Sequence, residues 1–363
     1  MRQRSFAWMS MALVVALFIS SCGSEGEPAA DGGDGGDPES LTMPGEDHFR
    51  NLRQLTSGGE NAEAYWAFDG SALVYQATKP GMECDQIFLL DLETLESTEV
   101  STGEGRTTCS YFYPDGERIL YSSTHHHDAS CPAEPDMSRG YVWPIYDTYD
   151  IFSANVDGSD VRRLTDTPGY DAEATVSPVG DRVVFTSVRD GDLELYSMNL
   201  DGSDVQRLTD RVGYDGGAFY SPDGSQIIWR AHYPEEGAET EEYLRLLDEG
   251  LIRPGNLEVW VMDADGSNKR QVTDLGGANF APYWHPSGEK VLFSSNHEDP
   301  SGREFEIYMI DLDGTDLTRV TYSEEFDGFP VFSPDGQYLV FGSNRFNDEP
   351  NETNLFLAEW VEE

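Results

Sequence analysis

Basic residues are scarce in this chain, and lysine is nearly missing. Acids outnumber bases 68 to 23, for a formal charge of −45, and only Lys79, Lys269 and Lys290 carry an ammonium group. A nucleic-acid partner needs a basic face to displace its counterions, so that class is excluded. Attachment to an anionic bilayer through a polybasic patch is excluded on the same ground. A surface this acidic fits a saline habitat or a base-composition bias, and by itself it carries no mechanism. Cysteine is rare, with four in the chain. No G-x-S-x-G elbow occurs, which excludes the serine-peptidase chemistry built on that motif. What is present is 36 glycines, 19 prolines and 12% aromatics, a composition suited to many short strands joined by turns. With 38% hydrophobic residues the chain can build a core.

The start of the chain reads as an address. Arg2 and Arg4 precede an apolar run from Phe6 to Ile19, followed by Ser20-Ser21-Cys22. The run is too short to span a bilayer and has the layout of a secretory signal over residues 1–21. Ile19-Ser20-Ser21-Cys22 resembles the bacterial lipoprotein box, which implies that Cys22 is acylated and becomes the mature N-terminus. Gly23 stands where an inner-membrane retention signal would place Asp, so the expected location is the outer membrane, facing the periplasm or the surface. Residues 22–47 are acidic, rich in glycine and free of aromatics, and are expected to form a flexible tether.

From residue 48 onward one pattern recurs. AYWAFDG ends at Gly70, SYFYPDG at Gly116, ATVSPVG at Gly180, AFYSPDG at Gly224, PYWHPSG at Gly288 and PVFSPDG at Gly336. Each is followed by an alternating apolar stretch such as RVVFTS or LVFGS. Most then show an aromatic strand with an Asp-Gly turn, as in LYSMNLDGSD, and close on a segment such as QRLTD. Period-two alternation between turn residues means four antiparallel strands per unit, and units of this length are propeller blades. The last unit lacks its fourth strand, which HFRNLRQLT at residues 48–56 can supply. The expected fold is therefore all-β: a monomeric six-bladed propeller over 48–363, its last blade closed by the N-terminal strand.

The S-P-D-G turn, the L-V-F-x-S strand and the Asp-Gly hairpin ending in R-L-T resemble the propeller repeats of the TolB family over residues 48–363. The resemblance implies a periplasmic or surface propeller that binds proteins or other envelope components. TolB itself carries an α/β domain before its propeller, whereas here that place holds the tether, so TolB's own partners are not implied.

Two of the intervals between aligned glycines are 64 residues, against 44 to 48 for the others. The excess falls between the second and third strands, at about 125–149 and 232–255. Both insertions are predicted to rise over the same face. TEEYLRLLDEG in the second predicts a short helix, with Thr240 as N-cap and Tyr243, Leu244 and Leu247 on its apolar side. It either packs on its own blade or acts as a lid.

Two columns of residues reach that face. Nine positions before each glycine stand Asn61, Thr107, Asp171, Asp215, Asn279 and Asp327. Just after the second strand stand Lys79, His125, Arg189, Tyr233, His297 and Arg345. The columns can pair as caps and strand bridges. Alternatively they form a polar funnel in which Asp171, Glu173, Arg189, Asp215, His125, His297, Asp327 and Arg345 meet a ligand. Cys84, Cys109 and Cys131 map to one sector, where an oxidising compartment would join two of them and leave the third over. His125-His126-His127-Asp128 could at most lend two side chains to an ion, because adjacent residues on a strand face opposite ways. The Asp-x-Asp-Gly turns lack the acidic twelfth residue of a calcium loop. No metal or cofactor is expected.

The function expected from these features is a non-enzymatic, lipid-anchored propeller that binds a protein or glycan partner in the bacterial cell envelope. The alternative is a propeller lyase or hydrolase. In it His125, His297 and Arg189 would bind a metal, transfer a proton and recognise a carboxylate at the channel mouth. A third possibility is an envelope scaffold whose columns only hold the blades together.

Overall fold

In the computed structural model the described residues are 41–347, 349 and 352–362. The signal 1–21, the lipidation site Cys22 and most of the tether lie outside them. The remainder forms six four-stranded antiparallel sheets in chain order. Blade 3 shows the unit: Asp171–Val176, Val183–Ser187, Glu194–Met198 and Gln206–Arg207. Blade 6 takes Asp327–Phe332, Tyr338–Ser343 and Asn354–Trp360 from the end of the chain and Phe49–Gln54 from its start. Phe49 lies opposite Trp360, so the N-terminal strand closes the ring as its sequence predicts.

The packed chain begins before residue 48, inside the stretch expected to be tether. Leu41 packs against the core of blade 6, and Glu46 is buried. Its carboxylate accepts two bonds from Arg345, at 2.8 and 3.1 Å.

Turn chemistry explains the hairpins. In the Asp-Gly turn of blade 3, Asp201 accepts bonds from the backbone N–H and hydroxyl of Ser203, at 3.0 and 2.6 Å. Gly202 takes φ 85°, open to glycine at no steric cost. The same serine bonds hold Asp157, Asp201 and Asp265 below the ordinary carboxylate pKa. These carboxylates are used by their own turns.

Each blade carries one cross-strand aromatic pair between its second and third strands. They are Tyr75–Phe88, Tyr121–Phe152, Phe185–Tyr196, Trp229–Trp260, Phe293–Tyr308 and Phe341–Phe356. A pair of this kind contributes about 0.2–1 kcal/mol relative to two alanines at the same positions. Neighbouring blades are stitched at the start of each innermost strand. The backbone N–H of Asn61, Thr107, Asp171, Asp215, Asn279 and Asp327 donates to a carbonyl of the preceding blade, at 2.8 to 3.1 Å. The bond from Asn61 to Thr353 joins blade 1 to blade 6 and completes the circle.

The insertions rise over one face and meet there. Trp143–Pro144 of the first pairs antiparallel with Leu251–Ile252 of the second, bridging blades 2 and 4. The helix runs Ala238–Asp248, three residues earlier than expected, with Gly237 at its N-cap and no side-chain cap bond. Thr240 instead donates to the carbonyl of Glu235. The helix buries Tyr243 and Leu246, while Leu244 is exposed and Leu247 partly buried, so its inner face is turned from the one predicted. Tyr243 sets that rotation: its hydroxyl lies 2.5 Å from the Asp192 carboxylate and 2.6 Å from the Gly213 carbonyl, at the seam of blades 3 and 4. The helix therefore packs on its own propeller.

Candidate functional site

The two predicted columns do pair, but inside the blades. Arg189 donates to Asp171 at 2.9 Å, Arg345 to Asp327 at 2.6 Å, and the Tyr233 hydroxyl to Asp215 at 2.6 Å. Where neither partner is charged, a serine stands between them. Ser295 donates to Asn279 and meets His297 Nδ1, and Ser123 links Thr107 to His125. Lys79 departs from the pattern and bonds Ser97.

Every member of the second column also lies over the aromatic pair of its own blade. Arg189 sits 5.1 and 4.9 Å from the ring centroids of Phe185 and Tyr196. His125 lies 4.2 Å from Phe152, and His297 4.6 Å from Tyr308. Burial lowers the pKa of both imidazoles. The first column is buried throughout. Asp171, Asp215, Asp327, Arg189, Arg345, His125 and His297 thus lie at the seams and against the aromatic pairs of their own blades. Of the predicted ligand-binding residues, only Glu173 lines the channel mouth.

What lines it instead is a ring two positions further along each innermost strand. Seven residues before the aligned glycines stand Glu63, Cys109, Glu173, Gly217, Ala281 and Phe329, one from each blade. All six have positive φ, between 49° and 59°, and each sits where the pairing to the second strand slips. An extra residue in a strand bends it and re-aims its side chain. A left-handed non-glycine residue costs about 1–2 kcal/mol, so five of the six blades carry backbone strain at the ring.

The ring surrounds a cavity of about 230 Å³ at the channel mouth, covered by residues 143–149 of the first insertion. Its polar side is a tight network. Arg230 forms an ion pair with Glu173 and donates to the Tyr214 hydroxyl at 3.0 Å. Glu173 also accepts from the Gly217 backbone at 3.1 Å and the Thr186 hydroxyl at 2.8 Å. The Arg230 guanidinium lies 5.3 Å from the Trp143 ring centroid, so the lid rests on this network. A second arginine, Arg106, pairs with Asp85 at 3.7 Å and with Glu134. Glu63 stands apart. Burial pushes its carboxyl up to about 7, against the pull of Arg230. Burial likewise holds the Cys109 thiol well above its ordinary pKa, so it is no thiolate nucleophile. Gly217 is required here, since a Cβ would collide with the Arg230 guanidinium. Gly217→Ala should cost about 1–3 kcal/mol by forcing Arg230 from its place, read as a lower urea midpoint.

Cys84 is bonded to Cys131 and Cys109 is free. The bridge ties the first insertion to the blade 1 loop across 47 residues of chain. Its removal in Cys84→Ser/Cys131→Ser should lower stability by about 2–4 kcal/mol and raise hydrogen exchange within residues 125–149. Outside the lid lies a wider hollow of about 740 Å³, walled by Pro144–Tyr146 on one side and by Leu244 and Leu247 of the helix on the other. Among the described residues no cluster of three His, Cys, Asp or Glu could hold a metal ion. Nor, among them, is any helix long and apolar enough to cross a membrane.

Fold and site define a six-bladed propeller with a lidded cavity at its channel mouth. The chain matches the TolB beta propeller domain family over residues 134–238 and 251–349, and it belongs to that family. An uncharacterized protein of Agrobacterium fabrum is 28% identical over 122 residues, 34% of either chain. Among solved structures, TolB from Acinetobacter baumannii is similar with a TM-score of 0.55 and 19% identity, over 76% of this chain and 57% of that one. A putative TolB from Agrobacterium tumefaciens gives 0.51 and 20%, over 84% and 91%. An oligogalacturonate lyase in complex with manganese gives 0.50 and 16%, over 86% and 93%. At these identities the structural likeness establishes the fold. The chain thus spans only about a third of the curated relative and just over half of the first of these structures.

Proposed function

We propose that this protein is a non-enzymatic binding propeller, lipid-anchored through Cys22 in the bacterial outer membrane. In this reading it holds a group of a protein or glycan partner in the cavity beneath its bridged insertions. The observation that carries the reading is the lid. Trp143–Pro144 and Leu251–Ile252 pair with each other, and Trp143 lies over Arg230 in the cavity wall, so the second insertion braces the first above one small site. His125, His297 and Arg189 belong to blades 2, 5 and 3 and each lies against an aromatic ring of its own blade, which favours the binding reading over the lyase alternative.

The test is a photocrosslinker placed on either face in envelope preparations. Tyr141 in the first insertion and Val179 in a hairpin of the opposite face are both well exposed. The expected result is one discrete adduct from position 141 and none from 179. Equal adducts from both would contradict the reading. Cys22→Ser should move the protein from the membrane to the soluble fraction, and unchanged membrane retention would remove the anchor from the account.

A further inference from the structure

We propose that the channel-mouth cavity takes an organic ammonium group, held between the Glu63 carboxylate and the aromatic walls. This rests on the reading that the cavity is the binding site, and it adds the chemical class of the ligand. The first argument is the charge inventory. Among the described residues both arginines of the cavity are already occupied, Arg230 by Glu173 and Arg106 by Asp85 and Glu134. An anionic ligand would have to break one of those pairs. Glu63 is the surplus carboxylate: no arginine or lysine among the described residues lies within ion-pair distance of it, although the charge of Arg230 reaches it.

The second argument is the wall. Tyr65, Tyr149, Tyr170, Trp143, Phe280 and Phe329 line the cavity, and cations are attracted to the faces of such rings. The tyrosines are held neutral well beyond neutral pH by burial, so they present hydroxyls and π-faces, not phenolates. The third argument is size. About 230 Å³ is below the range of drug-sized pockets and suits the head of a larger ligand or a single side chain. A lysyl side chain of a partner and a quaternary ammonium headgroup share this chemistry.

The groups facing Glu63 fix the pH behaviour. They are Arg230, Glu173, Asp85 and Cys109, with Tyr65 on its own strand. Burial keeps the Cys109 thiol protonated across neutrality. Glu63 is then the group whose ionisation changes between pH 6 and 8, and a cation binds its charged form.

The experiment is a titration of the purified protein with n-butylammonium, tetramethylammonium, glucose and glucuronate, followed by NMR. Excess potassium chloride is present so that the diffuse acidic field is screened. Ammonium binding is expected, about tenfold weaker at pH 6 than at pH 8, and weaker by at least about tenfold in Glu63→Gln. Tighter butylammonium points to a lysyl group, and tighter tetramethylammonium to a quaternary one. If Glu63→Gln fails to fold, the pH profile of the unaltered protein decides alone, and Trp143→Leu should weaken the quaternary probe selectively. Binding of glucose or glucuronate without ammonium would overturn the ammonium assignment and leave the cavity as the binding site. Binding of none of the four would overturn both.

Discussion

Arg345→Met should lower the free energy of unfolding by about 3–5 kcal/mol. Its guanidinium lies between Glu46 and Asp327, and the three side chains are at most 1% exposed. Taking away the cation leaves two carboxylates facing each other out of water, which costs far more than the pair contributes. Burial already raises the pKa of Asp327 even with Arg345 in place. Glu46 further accepts from the backbone of Met43 at 2.7 Å and of Tyr322 at 3.2 Å. The triad thus fastens the segment before Phe49–Gln54 to blades 5 and 6. The loss should therefore be local as well as global, with hydrogen exchange rising first in residues 49–54. Glu46→Gln, which keeps one of the two backbone bonds and leaves Arg345 paired with Asp327, should cost less. A fall in the urea midpoint equivalent to under about 1 kcal/mol would show that the ring closes without this clamp.

Stability should also fall as pH rises from 5 to 8, and Asp215→Asn should remove much of that fall. Asp215 is fully buried in blade 4, where Trp229 Nε1 and the Tyr233 hydroxyl donate to one oxygen at 2.6 Å each. No cation joins them among the described residues, and burial raises its pKa from 3.8 to about 7. Burial likewise pushes Glu63 and Glu306 to about 7. A carboxyl raised in this way is protonated in the folded protein while the unfolded chain has lost its proton. The folded state binds more protons between the unfolded and folded values, so stability is full below the unfolded value and lost as pH rises through 7. For Asp215 the effect is on the order of a few kcal/mol. The exposed turn carboxylates act oppositely, since their lowered pKa values make protonation destabilising at low pH. The optimum should then lie near pH 4 to 5. Melting curves at pH 5, 6.5 and 8 check this: equal slopes for the two proteins would contradict it.

The blade pattern was readable because it rests on local chemistry. Asp201-Gly202 makes its turn from its own carboxylate and the freedom of glycine, and Phe185 pairs with Tyr196 through strand alternation. The closing strand was readable because blade 6 lacked one. The ring was not. In a regular strand Asp171 and Glu173 would share a face, so sequence alone does not separate the Asp171 column from the Glu173 one. The left-handed turn at Glu173 breaks that alternation, sending Asp171 into the seam and Glu173 into the channel. A trace remained in the alignment, since Glu63, Cys109 and Glu173 are polar where Phe329 and Ala281 are not. The lid was hidden for another reason. Trp143–Pro144 and Leu251–Ile252 are two-residue strands whose partner lies more than 100 residues away, and no local propensity announces such a pair. The helix is legible but its rotation is not, because Tyr243 is fixed by Asp192 and Gly213 at the seam of blades 3 and 4.

In the proposed function the lidded channel mouth is where a partner binds. Trp143 lines that cavity from the first insertion and is partly exposed, so its oxidation reports on occupancy. The measurement is the rate of Trp143 oxidation by hydroxyl radicals, read by mass spectrometry in envelope preparations and in the purified protein. Slower modification in the envelope, restored on purification, is the predicted result. Equal rates in the two preparations would place the partner elsewhere on the propeller.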